Sequence, residues 1–236
     1  EFGSDFTAVH AILATVAAYH DWDWDSAEKE YQKALALDPQ DPFVRLQYAK
    51  LLVLRGRTDA AMEQVGRIGA VHPRRAVLEG GQAGVYYLSR QYDRAIAHCK
   101  AVLEIMPDAG DCSYWMGRAY LSKGMAAEAI DALEGRRSNP AMGFAGPIAA
   151  YLAAGQRNEA LRLRAEVEAL AERQPISPVS LASMYFSFGE QDSGFRQLDR
   201  AIQDRDPSLL TLRVEPAYDQ IRPDPRFQKI LRRLRL

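Results

Sequence analysis

The stretch Asp25-Ser-Ala27-Glu-Lys-Glu-Tyr31-Gln-Lys-Ala34-Leu35 decides the fold, because its first alanine recurs along the chain at a constant interval. Three further alanines follow it at steps of 34 residues: Ala61, Ala95 and Ala129. Prolines keep the same interval at Pro39, Pro73 and Pro107, and large apolar residues keep it at Leu52, Tyr86 and Tyr120. A 34-residue period that fixes a small residue, a large apolar residue and a proline predicts a helix-turn-helix unit that stacks into a solenoid.

The recurring residues have properties that packed helix pairs need. Small side chains let two helices approach closely, and large apolar side chains fill the space beside them. The predicted turn within a pair contains a glycine, which ends a helix in the left-handed conformation without strain, at Gly56, Gly124, Gly155 and Gly189. In the first unit, Asp25 and Glu28 have the spacing of a capping box, which predicts that Asp25 caps the second helix.

The interval shortens once, between the fourth and fifth units. Gly124 and Gly155 are 31 residues apart rather than 34, and the missing residues fall on both sides of Pro140. We expect Gly135 to end the preceding helix early. Two interpretations stay open for this irregularity: a tolerated deletion without a role, or a hinge or ligand-facing notch.

These motifs resemble the tetratricopeptide repeat (TPR) family across six units. The resemblance implies an all-α fold, a right-handed superhelix of paired antiparallel helices whose first helices line a concave groove. A capping helix that begins after Asp224 is expected to close the C-terminal end of the stack. The predicted units lie near residues 8–41, 42–75, 76–109, 110–140, 141–174 and 175–206.

The ends of the chain are interpreted separately from the repeats. Residues 1–4, Glu-Phe-Gly-Ser, have the sequence of an expression-vector scar, residues 5–206 form the predicted array, and residues 207–236 form a C-terminal capping segment. The turn around Trp22 and the ending that follows Asp224 also look like the C-terminal TPR regions of bacterial signalling proteins. This narrower resemblance implies a fragment of a larger regulator, with a DNA-binding domain, a nucleotide cyclase or a kinase preceding the array.

Composition excludes several classes of function. The 30 Lys and Arg residues nearly balance the 31 Asp and Glu residues, so we expect no direct nucleic acid binding by this piece. No apolar run is long enough to predict a membrane span. Cys99 and Cys112 lack metal-ligand spacing and are expected to be free buried thiols, which favours a cytoplasmic location. The sequence assembles no catalytic set, and we predict neither a metal site nor a cofactor.

Projection of the first helices predicts an apolar, aromatic groove with two cations. Lys50 and Arg118 are the cations, and each is a candidate to hold an acidic group of a partner. Gly80 and Gly84 are compatible with close packing of a neighbouring helix or with a pocket in the groove. The nine candidate groove residues are Phe43, Lys50, Gly80, Gly84, Tyr87, Tyr114, Arg118, Met142 and Phe186.

The sequence therefore predicts a non-catalytic interaction or sensing module. Its expected partner is a helix or peptide of another protein, or another domain of the same protein, bound in the concave groove. Two alternatives keep the same fold. In one the groove is a small-molecule sensor, and in the other an end repeat mediates self-association into a homo-oligomer.

Overall fold

The computed structural model describes residues 2–68, 76–134 and 143–234, with side chains from residue 6 onward and, after the first gap, from residue 77. Within these ranges the chain forms thirteen α-helices and no β-strand. The first seven helices are α1 (Phe2–Val16), α2 (Trp24–Leu37), α3 (Pro42–Leu54), α4 (Thr58–Gly66), α5 (Ala76–Leu88), α6 (Tyr92–Ile105) and α7 (Gly110–Ser122). The remaining six are α8 (Ala126–Glu134), α9 (Ala145–Ala153), α10 (Arg157–Ala171), α11 (Pro178–Ser187), α12 (Gln191–Gln203) and α13 (Pro225–Arg233).

The first twelve helices form six consecutive pairs, each joined by a short turn. The two helices of a pair contact each other, and first helices of adjacent pairs also touch: α5 packs between α3 and α7. Successive pairs also contact each other and stack in order along the chain, which confirms the predicted all-α solenoid with a C-terminal capping helix. Among the described helices, none is both long and apolar enough to cross a bilayer.

The repeating residues have the packing roles that the sequence predicts. Five alanines on the second helices are fully buried at Ala27, Ala61, Ala95, Ala129 and Ala160, because each helix approaches its neighbour at this position. The turn glycines Gly56, Gly124, Gly155 and Gly189 all have φ between 74° and 77°. They therefore end their helices in the left-handed conformation, as expected.

The start of α2 differs from the prediction. Asp23, rather than Asp25, is the N-cap, and its Oδ1 accepts a hydrogen bond from the backbone N–H of Ser26 at 3.0 Å. The helix starts earlier because the preceding π-helical turn Ala17–Asp21 ends in a left-handed residue, Trp22. Asp25 lies in the first turn of α2. The predicted helix end at Gly135 and the irregularity around Pro140 lie outside the described residues.

The C-terminal residues have two parts. Helix α13 starts after the N-cap Asp224 and buries Phe227, Ile230 and Leu231 in a cluster with Phe195 of α12. Before it, the chain forms two 3-10 turns, Pro207–Thr211 and Pro216–Tyr218. We call residues 207–221 the crossing segment, because they extend from the sixth pair to the first helices of earlier pairs.

Candidate functional site

The three glycines of α5 allow close contact with the first helices on either side. A Cβ atom added to Gly80 would lie 2.5 Å from Cβ of Asp111 in α7, and one added to Gly81 would lie 2.4 Å from Cδ2 of Leu46 in α3. At Gly84 the added atom would lie 2.9 Å from the Trp115 ring. Close packing of neighbouring helices therefore accounts for these residues, and it also leaves their backbone at the wall of a cavity.

This central cavity has a volume of about 540 Å³. Helices α3, α5 and α7 form one side, and the start of α11 together with the turn Pro207–Thr211 forms another. Of the nine predicted groove residues, four line the cavity: Lys50, Gly80, Gly84 and Tyr114. The sequence thus identified part of a real concavity, although it did not identify the C-terminal turn that contributes to its wall.

Lys50 lines the cavity as a half-buried cation. Its Nζ forms no hydrogen bond or ion pair with any residue in the described ranges. Burial lowers the pKa of Lys50, and the nearby Asp111 carboxylate partly offsets that effect. Lys50 is therefore a partly desolvated ammonium group that can receive an anion.

Tyr87 and Arg118 are not open groove residues. Tyr87 is only 1% exposed, and its Oη donates a hydrogen bond to Oε1 of Glu215 at 2.7 Å. Arg118 Nη2 donates to the same oxygen, also at 2.7 Å. The prediction that a partner lies against these two side chains is therefore corrected, because the chain's own crossing segment covers them.

The charges around Glu215 explain how these groups tolerate burial. Burial lowers the pKa of Arg118, but the carboxylate of Glu215 and the adjacent tyrosines outweigh it and hold that pKa well above its usual value. Burial raises the pKa of Tyr87, so its phenol stays protonated and donates to Glu215. The Arg118 guanidinium also lies 5.1 Å from the centroid of the Tyr87 ring. The result is a compact, paired polar cluster.

The crossing segment touches five of the six helix pairs. Arg90, which follows α5, makes two hydrogen bonds of 2.7 Å to the carboxylate of Asp219. Tyr218 Oη donates to the backbone carbonyl of Val179 in α11 at 3.3 Å. Trp22 packs against the C-terminal apolar cluster, and Val214 packs against the apolar cluster that includes Leu52 of α3.

Two turn positions of the sequence also indicate where the crossing segment attaches. Trp22 and Arg90 stand 34 residues before and after Gly56, at the turn position that glycine occupies in other units. Both nevertheless adopt the left-handed conformation, with φ of 56° and 60°. A side chain there costs about 1 kcal/mol or more, which a contact made by that side chain can offset. In both cases that contact is with the C-terminal part of the chain.

The other candidate residues are dispersed. Phe43 is 47% exposed at the start of α3 and does not line the cavity. Phe186 is half-buried, with its ring edge-on to Phe195 and Tyr218, so the C-terminal part of the chain covers it too. Met142 lies outside the described residues. Tyr114 lines the cavity while its Oη accepts a hydrogen bond from Arg118 at 2.8 Å.

The described residues offer little for metal or thiol chemistry. No group of three or more His, Cys, Asp or Glu side chains in these ranges could hold a metal ion. Cys99 and Cys112 are buried free thiols, and their mutual hydrogen bond together with burial raises the pKa of Cys99. A thiol in this state is a poor nucleophile.

Comparison with known proteins gives a family and a fold. A family model described as tetratricopeptide repeat matches residues 18–83 and 86–139, just over half of the chain. A curated relative, cellulose synthase 2 operon protein C of Komagataeibacter xylinus, is 35% identical over 102 residues. The match covers 43% of this chain and 8% of the relative, so the chain spans only a small part of that protein's length.

Three solved structures are similar in fold. The pilF protein of Pseudomonas aeruginosa has a TM-score of 0.59 at 15% identity, covering 90% of this chain and 98% of its own. MamA has a TM-score of 0.52 at 22% identity, covering 65% and 91% respectively. A thermophilic TPR protein of Thermus thermophilus has a TM-score of 0.51 at 19% identity, covering 89% and 98%. At these identities the likeness shows the fold alone.

Proposed function

Because the chain belongs to the tetratricopeptide repeat family, we propose that it is a non-catalytic protein-interaction module that binds an amphipathic helix of a partner on its first helices. Three exposed apolar residues at equivalent repeat positions carry this proposal. Val9, Phe43 and Val77 stand 34 residues apart and are 50%, 47% and 72% exposed. Equivalent positions of successive repeats lie side by side in a solenoid, so these residues form a row.

Helix α1 extends this surface. Ile12 and Val16 are also exposed, and between residues 6 and 16 only His10 is ionisable. We call Val9, Ile12, Val16, Phe43 and Val77 the apolar row. Large exposed apolar surfaces on soluble domains commonly mark interaction sites, and an amphipathic helix presents matching apolar anchors three and four residues apart. The partner helix would therefore lie across α1 and the starts of α3 and α5.

The crossing segment limits where a partner can bind. It covers Tyr87, Arg118 and Phe186, which removes the inner part of the predicted groove from use. The crossing segment does not cover Phe43, Val77 or the cavity mouth beside Val77. The proposed partner surface is accordingly the outer part of the groove on the first three repeats.

The test uses helical peptides selected by display against the purified chain, with affinities measured by isothermal titration calorimetry. Phe43→Asp and Val77→Asp each place a charge under the apolar face of the bound peptide, so we expect at least 10-fold weaker binding. Leu161→Asp is the matched control, because Leu161 is 43% exposed but lies on the second helix α10. Failure to select any peptide, or equal losses for all three variants, would overturn the proposal.

Self-association is a second candidate, supported by one observation on α1. Phe6, Val9, Leu13 and Val16 are exposed with spacings of three, four and three residues, the heptad pattern of helices that pair with each other. A second copy could cover this face through an antiparallel α1 contact. Sedimentation velocity tests this: a dimer that Leu13→Glu converts to monomer supports it, and a monomer at every concentration contradicts it.

The wider setting stays a prediction. The sequence resemblance favours a bacterial regulatory protein as the owner of this module, and the two buried free thiols favour the cytoplasm. Neither statement affects the binding experiments above, which use the chain alone.

A further inference from the structure

The central cavity has the dimensions of a ligand site. Its volume of about 540 Å³ falls within the roughly 300–1,000 Å³ typical of small-molecule pockets. Four helices and the turn Pro207–Thr211 contribute to the wall, so the crossing segment forms part of the cavity. A partner helix about 10 Å in diameter needs an open groove, whereas a small molecule fits this space.

Three polar side chains that line this cavity form no hydrogen bond with another described side chain. Lys50 is the one basic side chain among its described lining residues, and its Nζ has no hydrogen bond or ion pair in the described ranges. The hydroxyls of Tyr19 and Ser180 also make no hydrogen bond there. All three groups line one cavity, where they are available to hydrogen-bond a ligand or ordered water.

The chemistry of these groups favours a carboxylate. The Lys50 ammonium donates hydrogen bonds and carries the positive charge. Burial raises the pKa of Tyr19 to about 12, so its phenol is a donor at neutral pH. Lys50 is the one basic side chain among the described lining residues, so the cavity balances one negative charge. A monoanion is therefore favoured over a phosphate dianion or a dicarboxylate.

The remaining wall is mostly apolar. Leu54, Leu88 and Leu210 line it together with the Trp115 ring, and Gly80 and Gly84 add bare backbone. Apolar surface of this kind binds an alkyl chain or an aromatic ring through burial, at about 25 cal/mol per Å² removed from water. The ligand therefore needs one acidic end and an apolar body.

We propose that the central cavity binds a small amphiphilic monocarboxylate, with its carboxylate on Lys50 and Tyr19 and its apolar body against Leu54, Leu88 and Trp115. This site is separate from the apolar row that binds a partner helix in the proposed function, except that Val77 borders both. The turn Pro207–Thr211 contributes to the wall, so an occupied site also stabilises the crossing segment.

The probes are decanoate, kept below its critical micelle concentration, and 4-phenylbutyrate, which distinguish an alkyl from an aromatic body. Binding is measured by isothermal titration calorimetry and by thermal shift on the full chain. We expect a dissociation constant below about 1 mM for at least one probe and at least 10-fold weaker binding of its methyl ester. The ester comparison uses the unaltered protein, so it does not depend on any variant folding.

Three variants localise the site. Lys50→Gln is expected to weaken carboxylate binding at least 10-fold, and Tyr19→Phe, which removes only a hydroxyl, several-fold. Lys100→Gln is the matched control, because Lys100 is exposed on α6 and lies away from the cavity. Phe43→Asp should leave carboxylate binding unchanged even though it weakens peptide binding, which separates this inference from the proposed function.

Several results would overturn the proposal. The first is that neither probe binds with a dissociation constant below about 1 mM. The others are that acid and ester bind equally, or that the Lys50 and Lys100 variants lose affinity equally. Amide hydrogen exchange provides an independent readout. Bound carboxylate should slow exchange in residues 207–221, and unchanged exchange at saturation would contradict a site whose wall includes that segment.

Discussion

Oε1 of Glu215 lies 2.7 Å from Nη2 of Arg118, and this buried ion pair joins the crossing segment to the fourth repeat. Tyr87 donates to the same oxygen, so one carboxylate oxygen serves two buried donors. Arg118 was expected to hold an acidic group of a partner. The chain instead supplies that acidic group from its own C-terminal part, 97 residues away in sequence.

Removal of Glu215 should destabilise the protein strongly. Glu215→Ala leaves the Arg118 charge buried without a counterion, a change that typically costs about 3–5 kcal/mol in the free energy of unfolding. Urea unfolding followed by circular dichroism measures the effect. The control is Glu63→Ala, since Glu63 pairs with Arg67 on an exposed helix face and should change stability by less than about 1 kcal/mol. Equal unfolding midpoints for the two variants would contradict the role of this pair.

Replacement of both partners should restore much of the loss. Arg118→Met combined with Glu215→Leu removes both charges and keeps apolar volume, so the double variant is expected to be more stable than Glu215→Ala alone. The same urea experiment measures this difference. A double variant as unstable as the single one would show that Tyr87 or the backbone near Glu215, rather than the unpaired charge, dominates.

Two substitutions of Arg90 should separate the cost of backbone strain from the loss of the ion pair with Asp219. Arg90→Gly and Arg90→Ala both remove the ion pair with Asp219, but only glycine adopts the left-handed conformation of this residue without strain. We therefore expect Arg90→Gly to be more stable than Arg90→Ala by about 1 kcal/mol. Gly56→Ala is a matched control for the strain and should cost a similar amount. Thermal unfolding of the three variants tests the order.

Glycines in different surroundings should respond oppositely to the same substitution. Gly80→Ala would place a methyl group 2.5 Å from Cβ of Asp111, so α5 and α7 must separate and stability falls by roughly 1–3 kcal/mol. Gly66→Ala meets no atom within 4 Å, and the better helix propensity of alanine should raise stability by up to about 1 kcal/mol. A shift in the same direction for both would show that the helix spacing near Gly80 is not tight.

Acidification should loosen the contact between Arg90 and Asp219. The hydrogen bond from Arg90 holds the pKa of Asp219 below its usual value, against the opposing effect of partial burial. A lowered folded-state pKa means that the carboxylate stabilises the protein above about pH 3.9, the pKa in an unfolded chain, and loses this contribution as pH falls through the folded-state pKa. Both side chains are partly exposed, so the contribution is below about 1 kcal/mol.

Asp219→Asn measures that contribution. The melting temperature of the variant should lie below that of the unaltered protein at pH 7, by no more than a few degrees, and the gap should close toward pH 3. Asp192→Asn is a control for an exposed carboxylate, because Asp192 pairs with Arg226 away from the crossing segment. A gap in melting temperature that widens on acidification would contradict a lowered pKa of Asp219 in the folded protein.

The sequence predicted the repeat architecture well because its evidence was local and repeated. Ala27 and its equivalents, and the turn glycines after Gly56, report on packing within a helix pair or between adjacent pairs. The covering of Tyr87 could not be predicted in the same way, since it depends on a single hydrogen bond to Glu215 across 128 residues. Periodicity carries no information on such a contact. Only the non-glycine residues Trp22 and Arg90 marked where it attaches.

The crossing segment also affects how the repeat array unfolds and how it folds during synthesis. A solenoid with only neighbour contacts can fray from an end while its middle stays folded. Here, contacts such as the one from Arg90 to Asp219 span 129 residues and tie the last part of the chain to the early repeats. The ends are thus coupled, and melting should approach a single cooperative step. During synthesis, the third and fourth repeats complete these polar contacts only after Glu215 and Asp219 have been made.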